Sequence, residues 1–168
     1  MLIREGRASD GDAVLGLWDE AIAWLAQRGQ PEQWGTEPAS SRARTREMVD
    51  QWLTEPGLRI AEIDGEAVGA SVIGPARPAH VPPTALPETY LLFLISSRAH
   101  AGMGIGAELV ARAAAEARAA GSEVLRVDCW AGAPTLVAWY ERQGFVRSDT
   151  FTVEVRGLWH GQVFEMTL

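Results

Sequence analysis

The chain has 168 residues and 18.2 kDa, with 15 basic against 22 acidic side chains, a net charge of −7 and a pI near 5.0. That balance argues against nucleic acid, whose phosphates require clustered basic charge, and no apolar run approaches the roughly 18 residues of a membrane span. Cys129 is the only cysteine, which excludes an internal disulfide and any cysteine-rich zinc site.

The N-terminal stretch MLIREGRASD has no apolar signal region, so a cytoplasmic protein is expected. With 47% apolar and 22% charged residues, the composition is that of a soluble globular protein, and the length suits a single domain over 1–168. All 15 basic residues are arginine, as codon bias in a high-GC bacterial genome would produce. Seven tryptophans exceed the usual share, and some are candidates to line a pocket.

Leu2–Gly6 alternates like an opening strand, and Ser9 with Asp12 makes a capping pattern. Val14, Leu17, Trp18, Ile22 and Leu25 then recur at helical spacing, predicting an amphipathic helix over 10–28. After the loop Gln30–Gly35, Ser40 or Ser41 is expected to cap a second helix carrying Met48, Val49, Trp52 and Leu53. Trp18, Trp24 and Trp52 are read as core or helix-packing residues. Leu58–Ile63 and Glu66–Ile73 read as strands joined by the hairpin signal Asp64-Gly65. Five of the nine prolines fall within 74–88, predicting an irregular surface loop that bounds or covers a cleft.

From Thr89 through Ile95 the chain is apolar on both faces, as a buried central strand should be. The turn Ala101–Gly106 opens an alanine-rich helix that stops at Gly121. Glu123–Cys129 is the next strand and Pro134–Arg142 the next helix, closed by Gly144. Phe145–Val155 and Val163–Leu168 are read as the last strands, with Arg156–Gln162 as the loop between them. The order β-α-α-β-β-β-α-β-α-β-β describes an α/β domain around a mixed sheet, with a parallel pair across the long helix.

The most informative stretch runs from Leu94 to Leu109, where a buried strand enters a turn containing Gly102, Gly104 and Gly106 and then becomes a helix. First-turn amides have no helical partner, the helix dipole is positive there, and glycine lets a bulky anion approach the backbone. A Walker loop is excluded because the chain has no lysine, and the glycine spacing differs from the dinucleotide fingerprint G-x-G-x-x-G. The turn alone leaves open a purely structural role, packing a helix close to a sheet.

This turn resembles the acetyl-CoA pyrophosphate loop of the GNAT superfamily of N-acetyltransferases. Asp128-Cys129-Trp130-Ala131-Gly132 followed by Trp139-Tyr140-Glu141-Arg142-Gln143-Gly144-Phe145 resembles that family's second core motif. The resemblance covers essentially the whole chain. It implies the GNAT fold, a mixed, mostly antiparallel sheet of about seven strands splayed between the fourth and fifth and flanked by about four helices.

The resemblance also implies roles. Acetyl-CoA would be the cosubstrate, its pyrophosphate cradled by the amides of Ala101, Gly102, Met103, Gly104, Ile105, Gly106 and Ala107. The backbone of Leu94, Ile95 and Ser96 would pair with the pantetheine arm. Leu94 N–H would also stabilise the oxyanion formed on the thioester, a donor commonly worth about 3 kcal/mol. Tyr140 matches the tyrosine that protonates the departing thiolate and lies against the cofactor. Two positions depart from the family pattern: Ala101 where Arg or Gln is usual, with Arg98 or His100 nearby to compensate, and Ala133 where Asn is frequent.

A base must take a proton from the acceptor amine. Glu88 is the leading candidate, two residues before the position where one family branch carries glutamate, and Asp128 is the second; each has a structural alternative. Cys129 lacks an evident basic partner, so direct attack by the amine in a ternary complex is preferred over an acyl-cysteine intermediate. His80, His100 and His160 share no metal-ligand spacing, and no metal site is expected. Trp34 and Trp159 are candidate walls for an amine, with edge-plugging of the core as the alternative. The expected activity is acetyl transfer to a primary amine of a small molecule or peptide. The competing reading is a non-catalytic acyl-CoA sensor or interaction module, and the last strands would suit a homodimer interface.

Overall fold

The computed structural model describes residues 1–154 and 157–168. In chain order its elements are β1 (Leu2–Glu5), α1 (Gly11–Gln27), α2 (Ala43–Thr54), β2 (Leu58–Ile63), β3 (Glu66–Gly74) and β4 (Glu88–Ser96). There follow α3 (Ile105–Ala119), β5 (Val124–Trp130), α4 (Pro134–Arg142), β6 (Val146–Glu154) and β7 (Leu158–Thr167). This is the order that hydrophobic periodicity predicts. The strands form one seven-stranded sheet in the order β1-β2-β3-β4-β5-β7-β6. Strand β4 runs parallel to β5 over Glu88–Tyr90, whereas β1–β2, β2–β3, β5–β7 and β6–β7 are antiparallel. Asp64 (φ 51°) and Gly65 (φ 83°) supply the positive dihedrals that a two-residue hairpin requires.

The chain divides into two compact units, Met1–Ile73 with Phe93–Leu109, and Gly74–Leu92 with Val110–Leu168. In the first, α1 and α2 bury Val14, Leu17, Trp18, Ile22, Val49 and Trp52 against Ile60, Ala70, Val72, Phe93 and Ile95. Trp18 stacks on Trp52 with 6.1 Å between ring centroids and lies 4.7 Å from Phe93, so these two tryptophans are core residues as predicted. Trp24 is only half-buried and carries the guanidinium carbons of Arg28 and Arg98 at 4.1 and 5.1 Å from its ring centre. A second cluster, Ala61, Val68, Ile105 and Leu109 with Leu94 packed against it, seats the start of α3.

The helix caps differ from expectation. Ser9 lies inside a short 3-10 turn, Ala8–Asp10, and α1 begins without a side-chain cap. Asp10 does the tying instead: its carboxylate accepts from the Arg7 N–H at 2.6 Å and from Arg4 at 2.7 and 2.8 Å, binding β1 to the entry of α1. The Arg4 guanidinium holds the Asp10 carboxyl below the usual carboxylate range. Ser40 donates to Asp19 at 2.5 Å rather than capping α2, which starts after Arg42 with no side-chain cap.

In the second unit, the proline-rich segment is irregular as predicted, but it is more than a surface loop. Val81 is 1% exposed and joins Tyr90, Phe151 and Val163 in a buried cluster. Arg126 of β5 donates to Pro82 O at 3.0 Å, which binds the segment down as a strap over the sheet, and within the strap Arg77 donates to Val81 O at 2.8 Å. Shortening Val81 to alanine is expected to cost about 2 kcal/mol through lost burial and a residual cavity, read as a lower urea midpoint at unchanged m-value.

The last hairpin corrects the predicted strand limits. Trp159 and His160 lie in β7, which begins at Leu158, and not in a loop; Val155 and Arg156 fall outside the described residues. Gly161, read as a loop signal, pairs with Phe151 across β6–β7, and a Cβ placed on it would sit 2.2 Å from the Phe151 ring. The glycine makes room for an aromatic side chain to lie over the strand.

Candidate active site

The first unit carries the glycine turn. Arg98 N–H (2.9 Å) and Ala99 N–H (3.3 Å) donate to Glu20 Oε1 of α1, so this carboxylate fixes how the chain leaves β4. The turn itself needs Gly102 (φ 85°) and Gly104 (φ 77°), dihedrals that disfavour a side chain although open space surrounds both. Glu108 N–H to Gly104 O (3.0 Å) closes the first turn of α3. The N–H groups of Ile105, Gly106 and Ala107 therefore face the helix entrance without intrahelical acceptors, where the dipole is positive. Within the expected cradle Ala101–Ala107, Ala101 N–H and Met103 N–H donate to Arg98 O and His100 O, both at 3.3 Å.

Upstream, Ile95 is buried at 5% exposure in the aromatic cluster, while Leu94 packs towards Ile105 and Leu109. Ser96 O accepts from Arg98 Nη2 at 3.1 Å and Nε at 3.4 Å, and Ser96 Oγ accepts from the same Nη2 at 3.0 Å. Arg98 is thus engaged by Ser96 and Trp24, whereas His100 Nδ1 is buried with no hydrogen-bond partner. Trp34 sets its ring edge-on against Trp18 at 5.9 Å and keeps part of its surface exposed.

The second unit holds the titratable groups. Tyr140 is 6% exposed among Trp139, Phe145 and Phe164, with ring centroids 5.0, 5.7 and 5.4 Å away. Burial, first, and then the charges of Cys129 and Asp128 push its phenol above the ordinary tyrosine value. The Cys129 thiol is pushed up to about 12, again chiefly by burial, so it is not a nucleophile at neutral pH. The half-buried Asp128 accepts from the Tyr90 hydroxyl at 2.5 Å; desolvation raises its carboxyl, partly offset by that bond and by His80. Trp159 lies 5.7 Å from Phe151 at the margin of the Val81 cluster. Ala133 precedes α4 and offers no side-chain cap, with Pro134 opening the helix.

Glu88 is not a free carboxylate. Its Oε2 accepts from Arg126 Nη1 at 3.0 Å, and Arg77 stands 4.0 Å from its Oε1. Arg126 is fully buried and also meets Asp149 Oδ2 at 3.1 Å and Glu165 Oε2 at 3.2 Å, the latter as an ion-pair contact without an aligned hydrogen bond. One guanidinium thereby ties β4, β5, β6 and β7 together. Sequence reasoning missed this hub, because Leu125-Arg126-Val127 reads as ordinary strand alternation and its carboxylates lie 23 to 39 residues away in sequence. Among the described residues there is no group of three or more metal-ligating side chains and no helix long and apolar enough to cross a membrane.

Solved structures share this architecture along the full chain. A ribosomal-protein-alanine N-acetyltransferase from Brucella melitensis has a TM-score of 0.74 at 23% identity, with 100% of both chains covered. An N-acetyltransferase from Staphylococcus aureus Mu50 gives 0.71 at 20%, covering 99% of this chain and 97% of that one. The protein yncA from Salmonella typhimurium, solved with its cofactor acetyl-CoA, gives 0.72 at 17%, covering 100% and 94%. No curated protein matches the sequence. The family model for the acetyltransferase (GNAT) family matches residues 18–145, a stretch that holds the glycine turn, Asp128 and Tyr140, and the chain belongs to that family.

Proposed function

We propose that the protein is an N-acetyltransferase that moves an acetyl group from acetyl-CoA to a primary amine of a small molecule or peptide by direct attack in a ternary complex. The observation that carries this reading is the entrance of α3, where positive-φ glycines leave a run of amides free for an anion within the family-matched region. The amides of Gly104, Ile105, Gly106 and Ala107 hold the pyrophosphate, with Gly102 shaping the approach and His100 Nδ1 as an added polar contact. The backbone of Leu94, Ile95 and Ser96 pairs with the pantetheine, and Leu94 N–H stabilises the oxyanion as the amine attacks. Tyr140 gives its proton to the departing thiolate, and Trp34 and Trp159 flank the acceptor.

Of the two carboxylates considered for the base, the geometry favours Asp128. Glu88 is committed to Arg126, whereas burial raises the proton affinity of Asp128 towards the working range of a base. Asp128 takes one proton from the acceptor ammonium, and Tyr140 gives its proton to the departing thiolate. The second proton lost from the attacking nitrogen as the tetrahedral intermediate collapses restores the Tyr140 phenol. The products are the acetyl amide and CoA thiol, and the protonated Asp128 returns its proton to solvent.

Calorimetric titration with acetyl-CoA, followed by an amine panel scored for CoA release, tests the reading. Micromolar binding with amine-dependent release is expected; binding without release for any amine would leave the sensor reading standing, and no binding up to millimolar acetyl-CoA would remove both. Placing a side chain at Gly104 strains a left-handed dihedral by about 1–2 kcal/mol, so Gly104→Ala is expected to weaken acetyl-CoA binding about tenfold in the same titration.

A further inference from the structure

The reaction described above leaves a second tyrosine without a task. Tyr90 is fully buried near the start of β4, and its hydroxyl donates to Asp128 Oδ1 at 2.5 Å. The parallel register sets Tyr90 opposite Arg126, so the ring reaches along β5 to the next residue on the same face. Filling this space in the Val81 cluster would require only phenylalanine. A buried O–H must be satisfied, and here the acceptor is a half-buried carboxylate, which makes the bond charge-assisted.

We propose that Tyr90 is a positioning residue for the base: by occupying Oδ1, its hydroxyl fixes the Asp128 carboxylate and leaves Oδ2 as the atom that receives the acceptor's proton. This rests on Asp128 being the base. In the step, one N–H bond of the acceptor ammonium breaks and one O–H bond forms at Oδ2. The ammonium becomes a neutral amine, the carboxylate a neutral acid, and Tyr90 keeps its own proton throughout.

The groups around Asp128 set the direction of its titration. Tyr90 comes from β4, His80 from the strap, Tyr140 from α4, and Cys129 is its neighbour on β5, with Val163 opposite on β7. Arg126 and Glu88 act on the Tyr90 end of the pair. The Tyr90 bond and the His80 charge favour the carboxylate, while burial opposes it. Removing the bond therefore favours the protonated acid, which cannot serve as a base.

The pH dependence of kcat/KM in Tyr90→Phe and Asp128→Asn separates the possibilities. For Tyr90→Phe the acid limb is expected to move up by about one to two pH units, with a tenfold or greater loss at neutral pH that is regained under alkaline conditions. A role confined to packing would lower the rate equally at every pH and would overturn the proposal. If Asp128→Asn keeps the wild-type rate and acid limb, the assignment of the base fails and the proposal falls with it. If Asp128→Asn loses the limb while Tyr90→Phe matches wild type, only the positioning role is overturned.

A readout independent of turnover guards against a folding defect in Tyr90→Phe. Tyr90 and Tyr140 are the only two tyrosines, so fluorotyrosine incorporated into Tyr140→Phe labels Tyr90 alone. Its fluorine resonance is expected to titrate with an inflection that matches the acid limb and disappears in Asp128→Asn. A resonance that stays flat through that range would overturn the proposal.

Discussion

Replacing Tyr140 by phenylalanine is expected to lower kcat about 10²- to 10³-fold, while acetyl-CoA affinity by calorimetry stays within a few-fold of wild type. The substitution removes one oxygen and keeps the ring contacts with Trp139, Phe145 and Phe164, so the fold is preserved. Burial raises the phenol above its ordinary value near 10, which keeps it protonated across the physiological range. Such a phenol could be too weak an acid to protonate a solvated thiolate, but burial raises thiols as well. Cys129, within electrostatic reach of Tyr140, is pushed up to about 12. A CoA thiolate formed in the same surroundings is a correspondingly strong base, and proton transfer from the phenol becomes feasible.

The sign of the pH effect follows from that direction. A raised phenol holds its proton until well into alkaline conditions, so Tyr140 should impose no basic limb on the wild-type profile below about pH 9. Tyr140→Phe should therefore lose rate evenly across the neutral range, whereas changes at Asp128 should act on the acid side. Retention of wild-type kcat in Tyr140→Phe would mean that another group, or water, protonates the thiolate.

The features that the sequence made legible are those written locally. The helical repeat from Val14 to Leu25, the Asp64-Gly65 hairpin and the alternating glycines before α3 each need only a few neighbouring residues to specify their geometry. The limits of β7 were missed because Gly157 and Gly161 look like loop punctuation. Only the partner strand reveals that Gly161 accommodates the Phe151 ring. The strap was read as surface because prolines dominate it, yet one buried valine, Val81, and the bond from Arg126 to Pro82 O bind it down. The pairing of Glu88 was not legible for the same reason: its partner Arg126 is 38 residues away and becomes visible only when β4 and β5 lie side by side.

That ion-pair hub carries the largest expected effect on stability. Arg126→Met leaves Glu88, Asp149 and Glu165 without their shared cation, and breaking a buried pair from one side costs roughly 3–5 kcal/mol. For a chain of this length the unfolding midpoint should fall by on the order of 10 °C. Arg126→Lys should recover only part of the loss, because an ammonium cannot present a planar fork to several carboxylates together with Pro82 O. Neutralising the partners as well, in Arg126→Met with Glu88→Gln, Asp149→Asn and Glu165→Gln, should restore much of it by removing the uncompensated charge. The same series bears on the base. If Glu88 serves mainly to pair with Arg126, Glu88→Gln lowers the melting temperature and leaves the acid limb of kcat/KM where it was. A shifted or lost limb with an unchanged melting temperature would return the role of base to Glu88.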